Sequence, residues 1–586
     1  MEKPLFELVL EQEFTNREPE LKYFWNMAMK AKTNNGSSEA LIARKGVGKT
    51  AILVRLYNDL FTKQDEVVPF FITFASYREQ VEKLSVSIFN EYYFTTVMKQ
   101  YIAFRLRKPE MVEKNIELDI LHSLAMKNGL EELDEWFISY HGLHNDSLEA
   151  VRRMVAQMTF RLMHKKAGLL IIDEFQILTH VWDEVLQSYR DTTGVFQRPA
   201  EARWCPMLVS GSAVSLIENA VLTSVLSRRF GLYDLAPFEE KHTVEYVSKL
   251  AHLNKLVISD DVTSTIHALT GGNPFYIGCL LHSKCLEDNH LATPEKLQQV
   301  YEYEISQKKG YLRDFWDTHF ATYADKLNSE KTVARAMYVL SSHPGKDIGI
   351  HEVAAEIGED DAKTRKILQN LYDADLVERN SLWRYIGITD PVLGDYIKRV
   401  YKEQIEKQSS QEYEKFLKEE YRQKLGSLNQ RIGSLAEIYP NILMEKFNNQ
   451  SVDSKRAFGL DDGEVTLPLF QGKIEKRSGK IIEGSPIELD LIAKSTEENW
   501  FVEVKYWKKP VGKTEVDKFL KKLDELNQGE TKTLIGWFFS RKGFGKPARD
   551  KLIASKIRHT DSEGFNYLAD IVGCVRLPQN EVSDSL

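Results

Sequence analysis

From Glu39 to Leu60 the chain reads EALIARKGVGKTAILVRLYNDL: a short apolar run, a loop of glycine and lysine, then a helical pattern. Gly46, Gly48, Lys49 and Thr50 supply the end of the pattern G-x-x-x-x-G-K-[ST], with Val47 between the glycines and Ala51 opening the helix behind them. The chemistry explains each residue type. Glycines let backbone N–H groups turn inward around a β-phosphate, and the following helix presents its positive dipole end to the same charge. Lys49 can reach the β- and γ-phosphates, and the Thr50 hydroxyl can hold Mg²⁺. Ala43 stands where the first glycine of the pattern belongs. Alanine penalises positive φ, so weakened nucleotide binding is an expectation at that position.

The chain has 586 residues, room for roughly four domains of about 150 residues each. A net charge of −8 excludes a uniformly basic nucleic-acid coat and confines any such contact to a local patch. The four cysteines, Cys205, Cys279, Cys285 and Cys574, form no C-x-x-C pair. That fits a reducing compartment and argues against a cysteine zinc site. The start, MEKPLFELVLEQEF, carries acids and no signal-peptide core, and no apolar run approaches membrane-spanning length. The expectation is a cytoplasmic protein without a membrane segment.

Upstream of the phosphate loop, Phe14-Thr15-Asn16-Arg17-Glu18-Pro19-Glu20-Leu21 opens a helical stretch over Glu18–Lys30, with Asn16 as its expected N-cap. Downstream, Val67–Phe74 is a continuous apolar run and hence a buried strand. From Arg78 to Lys166 the pattern is helical. Gly168–Asp173 (GLLIID) is the next strand, followed by Glu174. An apolar strand ending in two acids suits a nucleotide site: Asp173 holds Mg²⁺ through water and Glu174 polarises the attacking water. Met207–Val209 is a short strand whose tip carries Ser210 and Ser212. Arg228 and Arg229 follow, and helices from Glu239 to about Lys308 are broken by Thr270-Gly271-Gly272-Asn273-Pro274.

In order and spacing these elements resemble the STAND and archaeal-type AAA+ ATPases. The resemblance covers roughly residues 12–320 and implies ATP as the nucleotide. It implies an adenine-framing role for the box containing Arg17 and Glu18, and a γ-phosphate sensor at Ser210 or Ser212. It also implies an arginine at Arg228 or Arg229 that touches nucleotide in cis or from a neighbouring subunit, hence a nucleotide-dependent homo-oligomer. Pro274, in the GGNP element, is expected near base and ribose.

Lys331 to about Arg399 reads as a winged helix: helices at Thr332–Leu340, His351–Ile357 and Asp361–Asp373, then a two-stranded wing at 376–380 and Trp383–Ile388. Lys363, Arg365 and Lys366 either enter a DNA groove or form the solvated face of a spacer. Tyr401–Lys424 is a charged helical connector.

The last domain carries Glu437 within an apolar helical face, a strand-like stretch at Leu467–Ile474, then IELDLIA (487–493) and WFVEVKYW (500–507). Glu503 and Lys505, two apart on a strand, face one side, and Asp490 on the preceding strand can face the same cleft. Two carboxylates beside a lysine make a Mg²⁺ site: Asp490 and Glu503 hold the ion and Lys505 positions or activates water. Glu437 can complete the shell, with Glu488 in reserve. Lys508, Lys509, Lys513, Lys518, Lys521, Lys522, Arg541, Lys542, Lys546 and Arg549 form a local basic zone able to bind phosphates. A helix at Thr514–Leu526 and a strand at Thr533–Ser540 follow. This order resembles the PD-(D/E)XK restriction-endonuclease-like domains attached to archaeal-type ATPases.

The expected fold is therefore α/β. An AAA+/STAND-like P-loop NTPase core spans 1–236, a helical lid 237–325, a winged helix 326–400, a connector 401–424 and a PD-(D/E)XK nuclease-like domain 425–586. The expected function is ATP-regulated, metal-dependent cleavage of nucleic acid, DNA before RNA, with defence against foreign DNA as a setting the resemblance suits. Two other readings stay open: an ATP-dependent DNA-binding regulator with an inactive nuclease fold, and a signalling ATPase whose last domain binds a protein partner.

Overall fold

The computed structural model describes residues 13–77, 83–144, 148–211, 226–286, 289–324, 330–373, 376–380, 384–401, 432–461, 463–471, 474–482, 485–507, 509–527, 532–574 and 576–577. The expected connector beyond Tyr401, together with Ser212, Trp383 and Lys508, lies outside these. The chain divides into two compact units: 1–237, 273–275 and 316–401 in the first, and 238–272, 276–315 and 402–586 in the second.

In the first unit, helix α1 (Glu18–Lys30) leads into strand β1 (Ser38–Ile42), the phosphate loop and helix α2 (Lys49–Lys63). Strand β2 (Val67–Thr73) is followed by four helices, α3 (Val86–Leu106), α4 (Leu118–Lys127), α5 (Asp134–His144) and α6 (Leu148–Leu162), and then by β3 (Ala167–Asp173). A hairpin of β4 (Val181–Asp183) and β5 (Ser188–Arg190) precedes β6 (Met207–Gly211) and β7 (Phe230–Asp234). The five longer strands form one sheet in the order β2-β3-β6-β1-β7, with every pairing parallel. Runs such as VVPFFIT and AGLLIID are apolar at nearly every position because helices cover both faces of such a sheet. At the β2 edge the buried amide of Gln100 on α3 accepts from Phe71 N at 2.7 Å and donates to Phe71 O at 2.8 Å. It occupies main-chain groups that would otherwise template another strand.

This strand order places β6 between the loop-bearing β1 and the acid-bearing β3. All five strands end at the same edge, where doubly wound sheets hold their ligands.

Farther along the unit, helices Glu330–Ser341, Ile350–Ile357 and Asp361–Asp373 accompany a small sheet ordered Asp347–Ile348, Tyr385–Ile386, Glu378–Arg379. This sheet has three strands where two were expected, because Asp347–Ile348 pairs antiparallel with Tyr385–Ile386. Ile367, Leu368 and Leu371 are buried, while Lys363, Arg365 and Lys366 are exposed.

In the second unit, a mixed five-stranded sheet runs in the order Glu475–Ile482, Ser485–Lys494, Glu498–Lys505, Thr533–Ser540, Arg558–Thr560. The first two pairings are antiparallel and the last two parallel. The strand expected at 467–474 is displaced: its apolar residues lie in a loop, and pairing begins at Glu475. Leu467 and Ile474 are buried in the core, so their hydrophobicity serves packing rather than a ladder. Trp500, Val502 and Val504 pack with Trp537 and Phe539 in one cluster. Phe501 packs with Phe538, Phe519 and Leu523 in another. Alternation along the strand therefore sends Glu503 and Lys505 to the Phe501 side. Helix Glu240–Leu253 packs on helix Ile432–Glu445, where Lys241 Nζ meets Glu445 Oε1 at 2.9 Å and Val244 joins the cluster that contains Tyr439.

Candidate active sites

The phosphate loop is built by two left-handed glycines, Gly46 at φ 82° and Gly48 at φ 103°. Ala43 is not among the positive-φ residues, so the penalty expected for alanine does not arise there. Lys49 is buried, and its ammonium donates to Ala43 O at 2.7 Å and Arg44 O at 3.2 Å, which folds the side chain back over the loop. Thr50 Oγ1 donates to Asp173 Oδ2 at 3.0 Å, and Ser210 Oγ donates to Asp173 Oδ1. Burial, with Glu174 adding to it, raises the pKa of Asp173 above the usual carboxylate range. Glu174, at φ 58°, accepts from Gln176 Nε2 at 2.5 Å. Thr50, Asp173, Glu174 and Ser210 thus meet at the carboxyl edge of the sheet, with Ser210 bonded to the acid.

Arg17 is buried and donates to Val47 O at 3.2 Å and Ala236 O at 2.8 Å. It braces the backbone of the loop itself. The helix it precedes has no side-chain cap: Asn16 and Arg17 both adopt left-handed backbone, so the expected Asn16 N-cap is absent. Asn273, rather than Pro274, makes the hydrogen bonds of the GGNP element to the loop. Its Nδ2 donates to Lys45 O at 2.9 Å, and a Cβ on Gly46 would stand 2.8 Å from its Oδ1. Pro274 is half-buried beside it. Sequence reading quoted Asn273 without giving it a role. Arg228 is exposed, at φ 66°, whereas Arg229 is held by Glu201 at 2.8 Å.

In the second unit Glu503 is buried and clamped from two sides. Lys505 Nζ donates to its Oε1 at 2.7 Å and Lys522 Nζ to its Oε2 at 2.8 Å. Lys522 comes from helix Lys513–Asn527. Asp490 Oδ2 accepts from Val504 N at 2.7 Å. Burial, with a contribution from Glu503, raises the Asp490 pKa. Burial alone would lower the Lys505 ammonium, but Glu503 and Asp490 hold it above its ordinary value. Asp490, Glu503 and Lys505 are therefore one electrostatic group. Glu437 lies half-buried on helix Ile432–Glu445. Among the described residues no three His, Cys, Asp or Glu side chains form a metal-holding group, so Glu437 is not drawn in as a third acid. Lys522 was legible only as one member of a basic run; its place on Glu503 comes from the helix docking across the sheet.

Lys509, Lys513, Lys518, Lys521, Lys542, Lys546 and Arg549 are exposed, and Trp507 is 38% exposed. Arg541 stands over the Tyr506 ring at 4.6 Å.

The strand order and loop geometry of the first unit define a P-loop ATPase fold, and the second unit ends in an α/β domain with a two-acid, lysine-bearing sheet. Residues 482–569 match the model of the Mrr_cat restriction endonuclease family. The chain is also similar to the Walker-type ATPase PABY2304 of Pyrococcus abyssi, at 13% identity over 67% of this chain and 99% of that one, with TM-score 0.43. The ORC2 protein of Aeropyrum pernix aligns at 10% identity over 69% and 98%, TM-score 0.37. The RuvB branch migration motor of Thermotoga maritima aligns at 14% over 66% and 96%, TM-score 0.30. No curated protein matches the chain. No helix among the described residues is long and apolar enough to cross a membrane.

Proposed function

We propose that the chain is an ATP-regulated, metal-dependent nuclease acting on nucleic acid, DNA before RNA, with the P-loop unit as its switch or assembly module. The observation that carries this reading is the grouping of Asp490, Glu503 and Lys505 within a restriction endonuclease sequence, in a chain that also has a P-loop. The donors suit a hard divalent cation: two carboxylates, one of them with an oxygen, Asp490 Oδ1, not used by Val504 N. A cation there supplies Lewis acidity and a water of lowered pKa. Lys505 then orients the attacking water and offsets charge on the phosphate. Lys522 fixes the carboxylate of Glu503 until the substrate phosphate competes for its ammonium. The exposed lysines and arginines beyond the Glu503 strand bind flanking phosphates.

At the P-loop, Mg²⁺ and ATP fit the same test. Left-handed Gly46 and Gly48 leave the loop backbone free to cradle a phosphate, and Thr50 and Asp173 present oxygens side by side. Lys49 would exchange loop carbonyls for β- and γ-phosphate oxygens. Glu174 would orient the attacking water, and Ser210 would report γ-phosphate to Asp173. The STAND-like switch, the winged-helix role of residues 326–400 and a setting in defence belong to this proposal.

The test is incubation with plasmid, linear duplex, single strand and RNA, with Mg²⁺ or Mn²⁺, with and without ATP. Metal-dependent cleavage that changes with ATP is expected; intact substrates in every lane would refute the reading.

Two further outcomes follow from particular residues. Lys522→Ala frees one Glu503 oxygen, so Ca²⁺ affinity by calorimetry should rise about fivefold, a roughly 1 kcal/mol effect, while cleavage slows. Unchanged Ca²⁺ affinity would remove Lys522 from the site. Arg228, exposed and unlike Arg229 not engaged with Glu201, is assigned to a nucleotide held by a second copy. Light scattering should show an ATP-dependent oligomer that Arg228→Ala does not form, and a wild type that stays monomeric with ATP would exclude this.

A further inference from the structure

A cavity of about 1050 Å³ opens among α5, α6 and the segment after β5, with none of the P-loop residues in its lining and five arginines in its wall. Arg152, Arg153 and Arg161 come from α6, Arg190 from the end of β5, and Arg198 from the turn beyond. Three separate stretches of sequence thus bring five arginines to one concavity in a chain of net negative charge. Three acids, Glu135, Glu149 and Asp191, line the cavity with them, and Asp183 meets Arg190 at 2.9 Å. Glu149 is shared among three, meeting Arg152 at 2.7 Å, Arg153 at 3.0 Å and Arg190 at 3.7 Å. Arg161 is bonded only to a neutral acceptor among the described residues, Gln157 Oε1 at 2.7 Å.

A solvated basic face would account for the exposed members but not for Arg152. That side chain is 4% exposed, and its Nε and Nη1 have no hydrogen-bond acceptor among the described residues. A buried guanidinium with unmet N–H groups carries a desolvation cost that an anion offsets. Arginine forks match phosphate oxygens bidentately. The half-buried ring of Trp136 lines the same cavity and offers a stacking face for a base.

We propose that this cavity is a second nucleotide site, binding a nucleotide monophosphate through the arginines and its base through Trp136. The ligand's chemistry is that of a free nucleotide or of the 5′-phosphorylated end of a single strand. One lining residue is bonded to the turn that follows Glu174. After Arg190, Thr192 binds Leu178 O through both its N and Oγ1, each at 2.8 Å, in the short turn that follows Glu174.

The experiment is calorimetric titration of the full chain with AMP, with inorganic phosphate and with a 5′-phosphorylated tetranucleotide. AMP lacks the β- and γ-phosphates that Lys49 serves, so Lys49→Ala should leave its affinity unchanged. Arg161→Ala/Arg198→Ala, both exposed positions that spare the core, should weaken AMP at least about tenfold. Trp136→Leu should bring AMP down to the affinity of inorganic phosphate. A tetranucleotide that binds more tightly than AMP identifies a strand end as the ligand, and the reverse identifies a free nucleotide. Absence of heat from all three probes, or AMP affinity indifferent to the arginine pair, overturns the proposal.

Discussion

Asp490→Asn is expected to remove metal-dependent cleavage, by at least about 100-fold, without lowering the thermal midpoint. The two halves of that expectation have different causes. A neutral amide cannot stand in for a metal carboxylate, so activity falls. Stability moves the other way, because burial and Glu503 raise the Asp490 pKa above its unfolded value. A carboxyl whose folded pKa is raised stabilises the fold in its protonated form. That benefit is lost as pH rises through the unfolded and then the folded pKa, so at neutral pH the ionised group is a net cost. Asparagine keeps an oxygen to accept from Val504 N and carries no charge. The midpoint, read by calorimetry at neutral pH, should be unchanged or higher, and the difference from wild type should vanish in acid. A variant that is both inactive and markedly less stable would mean that Asp490 is structural.

Lys49→Ala carries the second large effect. The ammonium is expected to exchange its two loop carbonyls for two phosphates, a net gain of about 1.5–3 kcal/mol, so ATP·Mg²⁺ affinity should fall about 10- to 100-fold. The substitution also leaves Ala43 O and Arg44 O without their donor. Ala43 is buried and Arg44 half-buried, so the fold should also lose about 1–3 kcal/mol. Nucleotide regulation of cleavage should disappear while the nuclease domain keeps its metal-dependent chemistry. Equal ATP affinities for variant and wild type would place the nucleotide elsewhere.

Local chemistry was readable from the chain; partners across the fold were not. The span Glu18–Lys30 is decided by its helical pattern and the strand ending at Asp173 by a continuous apolar run, and both elements occur. The pairing of Glu503 with Lys505 needs only the two-residue period of a strand. By contrast, Arg17 finds Val47 and Ala236 across 30 and 219 residues of sequence. Asn273 reaches Lys45 across 228. Neither separation leaves a local pattern. The β4–β5 hairpin escaped notice because its strands are three residues each; Asp183 sets its turn by accepting from Val185 N and Leu186 N. The misplaced strand at 467–474 failed for a related reason, since a short apolar run cannot distinguish a ladder from a packed loop. The Asn16 cap failed because Arg17 is drawn into left-handed backbone as it reaches the loop carbonyls, and tertiary bonding overrode the capping preference.

The central claim is that one chain cuts nucleic acid through Asp490, Glu503 and Lys505. It is tested most directly by comparing wild type, Asp490→Asn, Glu503→Gln and Lys505→Ala on the same DNA with Mg²⁺ or Mn²⁺, at matched concentration and with EDTA as control. Metal-dependent cleavage by wild type, none by the three variants, and retained Ca²⁺ binding by Lys505→Ala is the result expected. Cleavage by Asp490→Asn and Glu503→Gln at the wild-type rate would contradict it.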